Sequence, residues 1–95
     1  MSHWIKHLRT IPQSEDRLSL KMDLQCPPGM QLQATTWQET GELVIWLERA
    51  EDVAPSETQH LQIPVPTEYR GQRLRVLLKE RKGEREFGNE EIKMN

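Results

Sequence analysis

Leu43-Val44-Ile45-Trp46-Leu47 is a run of five apolar residues, two of them β-branched and one aromatic, preceded by Gly41-Glu42 and followed by Glu48-Arg49. Such a run reads as a strand buried on both faces. Upstream, Met30, Leu32 and Ala34 alternate with Gln31, Gln33 and Thr35, a period of two. Between the two segments lies Gln38-Glu39-Thr40-Gly41. A type I turn closed by a Gly bulge fits there, because Gly takes the left-handed conformation at no steric cost. This turn pairs Gln38 with Glu42, Trp37 with Leu43 and Ala34 with Trp46. Met30, Leu32, Ala34, Val44 and Trp46 then share one face, and Trp37, Leu43, Ile45 and Leu47 the other. A hairpin apolar on both sides is expected in the middle of a sandwich or small, partly open barrel rather than at an edge.

Further strands follow from the same period. Leu18, Leu20, Met22 and Leu24 alternate with Ser19, Lys21 and Asp23, giving a half-buried strand that Cys26-Pro27-Pro28-Gly29 ends. Leu61, Ile63 and Val65 alternate with Gln62, Pro64 and Pro66, and the prolines, lacking an N–H, place that strand at an edge or a bulge. A last strand is expected from Gln72 to Lys82, with Leu74, Val76 and Leu78 on one face and Arg73, Arg75, Leu77, Lys79 and Arg81 on the other. Residues 3–11 fit a short helix by Trp4, Leu8 and Ile11, or a strand. Pro12 ends either one. The reading is a mainly β, five- or six-stranded antiparallel domain over residues 1–82, with a mobile acidic loop from Glu48 to Thr58. Residues 83–95, rich in charge and poor in apolar side chains, are expected to form a flexible tail.

Apolar residues make up 35% of the 95-residue chain against 29% charged, so the core is thin and a partner or self-association is expected. The single cysteine, Cys26, excludes an intrachain disulfide and a multi-Cys zinc site. The N-terminal stretch lacks the apolar run of a secretory signal, and no segment approaches the ~20 apolar residues of a membrane span. A cytoplasmic setting without membrane contact is expected.

Net charge is −2, but it is unevenly spread. Glu39, Glu42, Glu48, Glu51, Asp52 and Glu57 face only Arg49 between positions 39 and 57, a local charge of −5. Arg70, Arg73, Arg75, Lys79, Arg81, Lys82 and Arg85 face only Glu80 and Glu84 between 70 and 85, a local charge of +5. The bases at alternate positions of the last strand form a stripe that attracts an acidic partner. Arg70, Arg73, Arg75, Lys79 and Arg81, extended by Phe87 in the tail, are the candidate partner-binding residues. Another protein, including a second copy, is the expected partner. The alternative is nucleic acid tracked by the same stripe, which the acidic net charge disfavours, and a third reading is a solvated face.

Enzyme signatures are missing. The five glycines are scattered singly, so no phosphate loop forms, and neither Gly-x-Ser-x-Gly nor His-Glu-x-x-His occurs. His3 and His7, four apart, would need His60 or an acid to complete a metal site. No catalytic residue, metal or cofactor is therefore expected. Ile63 to Val76, Ile-Pro-Val-Pro-Thr-Glu-Tyr-Arg-Gly-Gln-Arg-Leu-Arg-Val, resembles the Pro-then-Gly-then-strand phrasing of small prokaryotic regulatory β proteins, and a prokaryotic or phage origin fits. That resemblance carries no functional residue. The chain reads as a small non-catalytic adaptor, regulatory or accessory subunit.

Overall fold

A computed structural model describes residues 3–51, 57–83 and 85–93. Seven strands succeed one another: β1 (Ile5–Pro12), β2 (Leu18–Leu24), β3 (Met30–Gln38), β4 (Glu42–Arg49), β5 (Gln59–Pro64), β6 (Arg73–Glu80) and β7 (Glu86–Lys93), with one 3-10 turn at Thr67–Tyr69. They form two sheets, β1-β2-β5 and β3-β4-β6-β7. All neighbours are antiparallel except β4 and β6, which run parallel because the chain crosses to the other sheet as β5 between them.

The two sheets stack through their inward faces. Leu20, Met22 and Leu24 of β2 meet Leu43, Ile45 and Leu47 of β4 and Leu74, Val76 and Leu78 of β6, all fully buried and in one cluster. Fully burying a side chain of this size contributes roughly 1.5–3 kcal/mol. Along one side of the sandwich β1 lies beside β7. On the opposite side β3 lies near β5, joined where the Trp37 indole N–H donates to the Pro64 carbonyl at 3.1 Å.

The β3–β4 hairpin has the expected register, Gln38 opposite Glu42, Trp37 opposite Leu43 and Ala34 opposite Trp46. Gly41 closes the turn at φ 81°, and its N–H bonds to the Gln38 carbonyl at 3.0 Å. The shared faces differ from expectation. A bulge at Gln33 shifts the alternation, so Leu32 stands opposite Leu47 and Met30 joins the core face. Opposite Glu42, Val44, Trp46 and Glu48, the β3 residues that look outward are then Gln38, Thr36, Ala34 and Gln31. With its apolar residues drawn inward, β3 needs no cover and sits at an edge, while β4 is interior.

Of the helix and the strand that residues 3–11 fit, the structure holds the strand, Ile5–Pro12. Register shifts between Lys6 and Arg9, around His7 at φ 58°, and this offset turns the period of two into a spacing that imitates a helix. Among the described residues the strand count is seven rather than five or six, and β6 is neither last nor at an edge. Residues 86–93 of the expected flexible tail pair with β6 as β7. β7 shows no apolar alternation. Phe87 and Ile92 nonetheless pack against the core and the buried Gly88 lies opposite Leu78, while on the outward side Glu91 stands opposite Arg75 and Glu86 opposite Lys79. Of the loop expected from Glu48 to Thr58, Glu48 and Arg49 belong to β4, and residues 52–56 lie outside the described residues, as does Met94. As expected from its proline, β5 is an edge strand.

Candidate functional site

The outward face of the four-stranded sheet gathers most of the candidate residues. Arg73, Arg75, Leu77 and Lys79 of β6 point away from the core, beside Glu42, Val44 and Trp46 of β4, with Arg75 opposite Glu42 and Lys79 opposite Trp46. This parity is forced, because Leu74, Val76 and Leu78 fill the core.

Much of the basic stripe is neutralised within the chain. Arg73 pairs with Glu91 at 3.3 Å and Arg75 with Glu42 at 3.6 Å. Exposed pairs of this kind contribute little stability, typically about 0–1 kcal/mol, but they remove charge that a partner would otherwise meet. Lys79 and Arg81 instead lie over the Trp46 ring, 5.7 and 4.9 Å from its centroid. The indole is fixed by its N–H donating to Thr36 Oγ1 at 2.9 Å, and the Arg81 guanidinium donates to the Gln33 side chain. Val44 (3% exposed) and Leu77 (9%) lie beside Trp46 as an apolar floor. A shallow cleft of about 530 Å³ runs along this floor from Gln38 to Lys79.

The other two candidates lie elsewhere. Arg70 bonds the carbonyls of Asp16 and Glu15 at 2.9 and 3.3 Å, tethering the β1–β2 turn to the segment before β6. Phe87 packs against the core and carries the Arg85 guanidinium 4.7 Å from its ring centroid.

Sequence reasoning missed two clusters. Glu80 follows Leu74, Val76 and Leu78 by parity and is turned toward the core, where it is 6% exposed and held by Arg49 Nε at 3.1 Å. The period of two on β6 carried that signal. Beyond the ends of β4 and β6, Arg49 and Glu80 line an open cleft of about 760 Å³ with Glu48, Arg81 and Lys82. The second cluster is on the outward face of the three-stranded sheet. Asp23 accepts from His7 Nδ1 and from His60 Nδ1, both at 2.7 Å. These two contacts, His7's the larger, hold the Asp23 carboxyl below its ordinary value of 3.8. Asp23 and His60 meet through β2–β5 pairing across 37 positions, a register the sequence does not reveal.

This is the meeting of histidine and acid that an enzyme reading requires, but it stands on an open strand face, with His7 and His60 70% and 74% exposed. Among the described residues no group of three or more His, Cys, Asp and Glu is arranged to hold a metal ion. His3 stacks near Trp4 instead, at 4.3 Å between centroids. Cys26 is buried, and burial pushes its thiol pKa up, away from nucleophilic use. Among the described residues no helix is long and apolar enough to cross a membrane. No family model, curated protein or solved structure matches the chain.

Proposed function

We propose that the protein is a small non-catalytic binding module, an adaptor or accessory subunit of the cytoplasm, whose contact surface for another protein is the outward face of the four-stranded sheet. The observation that supports this reading is Trp46. It is large, half-buried and held on an outer strand face between two cations that face its ring rather than a carboxylate. Trp and Arg are the residues that most often dominate protein contacts, because each removes much area from water while keeping a polar handle. Lys79 and Arg81 add attraction for an acidic partner, and Arg73 and Arg75 join once their internal acids exchange for the partner's.

Nucleic acid has less support. Two of the four bases on this face are paired with the chain's own carboxylates, and a phosphate-binding face keeps its bases available. Capture with the tagged protein from its native host, at low and high salt and with nuclease, separates the readings. A defined protein retained through nuclease and high salt is expected. Recovery of nucleic acid that vanishes at high salt replaces this reading with the alternative.

A further inference from the structure

The sandwich has four edge strands, and three of them are protected against pairing with another chain. β1 carries Lys6, Arg9 and the offset at His7, and it ends on Pro12. β7 carries Glu86, Glu90 and Glu91 and a register shift of its own. β5 spans six residues and ends on Pro64. Charges, prolines and bulges on an edge are the usual devices that stop edge-to-edge association. The fourth edge lacks two of them. β3, Met-Gln-Leu-Gln-Ala-Thr-Thr-Trp-Gln, is nine residues long with neither charge nor proline. Its bulge at Gln33 leaves Ala34 to Gln38 in unbroken ladder register. Among the described residues β3 pairs with no strand but β4. Met30 N–H bonds the Pro27 carbonyl and Leu32 N–H meets Cys26, but the stretch beyond the bulge leaves the N–H and C=O groups of its other side without a strand partner.

A second observation concerns the side chains at the same margin. Thr35 is opposite Ile45, a core-facing position, yet it is exposed. Leu32 and Trp37 on β3 and Leu61 and Ile63 on β5 point inward but are only partly buried. The β3–β5 margin is therefore bridged at the Trp37–Pro64 bond but not fully covered, and a partly exposed apolar seam runs along it.

We propose that β3 is the contact of a symmetric dimer, pairing antiparallel with β3 of a second copy about a two-fold axis near Thr35 and Thr36. Two features select a second copy over a foreign strand. A single added strand satisfies the backbone of β3 and leaves the β5 margin of the seam uncovered. A second sandwich has the same two-layer thickness and sets its own Leu32, Trp37, Leu61 and Ile63 against the first. In a two-fold pairing, moreover, residues near the axis meet their own symmetry mates, so a charge there opposes itself. β3, made of Gln, Ala, Thr and Trp beyond the bulge, is free of that repulsion, whereas β1 and β7 are not. The dimer joins two four-stranded sheets into one of eight strands and leaves the Trp46 face outward, so it stands independently of the proposed function.

The test is the solution mass of the full chain by light scattering over a range of concentrations. The wild type is expected at twice the 11.2 kDa chain mass, with T35K and T35E each at the single mass. An equimolar mixture of T35K and T35E is expected to recover the double mass, because Lys then faces Glu. W46A is expected to stay dimeric. A wild type that is monomeric throughout overturns the proposal and leaves β3 for a strand of some other chain. A dimer that persists in both T35K and T35E overturns it too, since the contact then lies elsewhere. If the variants do not fold by circular dichroism, amide exchange of the wild type decides. Protection rising with concentration on β3 supports the dimer, and protection rising only elsewhere contradicts it.

Discussion

The two outward faces of the sandwich are built on opposite plans. On the three-stranded sheet, β2 shows Ser19, Lys21 and Asp23, flanked by Ile11, Arg9, Gln62, His7 and His60, and Asp23 accepts from both histidines. On the four-stranded sheet, β4 and β6 show Val44, Trp46 and Leu77 within a frame of charges. Both sheets close the same core, so the core does not require the second plan. An outward strand face of a two-layer fold needs only polar residues, as β2 demonstrates. Val44 and Leu77 are themselves buried, and the half-buried Trp46 with its two cations is what the proposed contact face rests on.

If that contrast is correct, inward and outward neighbours on β4 respond differently. Ile45→Ala, at a fully buried position, is expected to lower stability by about 2–5 kcal/mol, measured by urea unfolding. Arg49→Ala leaves the Glu80 carboxylate buried and unpaired, and a loss of about 1–3 kcal/mol is expected in the same assay. Trp46→Ala removes more atoms than Ile45→Ala yet should cost only about 1–2 kcal/mol, the sum of partial burial and the cation contacts. A Trp46 loss equal to that of Ile45 would erase the distinction between the faces.

The smallest expected effect lies on the three-stranded sheet. Asp23 has a folded pKa below its unfolded value, so its contribution to stability is present above about pH 4 and is lost as pH falls through the folded pKa. Asp23→Asn is expected to lower stability slightly at neutral pH and to flatten the acid limb of the stability curve. An acid limb unchanged in Asp23→Asn would mean that the two histidine contacts contribute nothing.

Local pattern and distant pairing were unequally legible in the sequence. The Gln38–Glu42 hairpin, the core stripe Leu74-Val76-Leu78 and the outward bases of β6 all follow from a period of two and one Gly turn, which are local. The bulges at His7 and Gln33 are not local signals. They arise where sheet pairing forces an extra residue out of register, and each one moved side chains to the opposite face. β7 was hidden for a different reason. With Phe87 and Ile92 five apart it shows no alternation, although both pack against the core, and acids opposite bases on β6 appear only once the two strands are paired. The acidic surface expected of a partner is thus partly supplied by the chain's own last strand, and the candidate site contracts from the whole stripe to Trp46, Lys79 and Arg81. Arg70 was out of reach for the same reason as Asp23, since its partners at positions 15 and 16 lie across the fold.

The most direct test is the affinity of the protein captured from the native host for wild type, Trp46→Ala and Lys79→Glu/Arg81→Glu, with Lys21→Glu as the change on the other outward face. Wild-type binding with Lys21→Glu, and a loss of about tenfold or more in the other two variants, each folded by circular dichroism, is the predicted result. Equal affinity across all four proteins would contradict the assignment of the four-stranded sheet as the contact face.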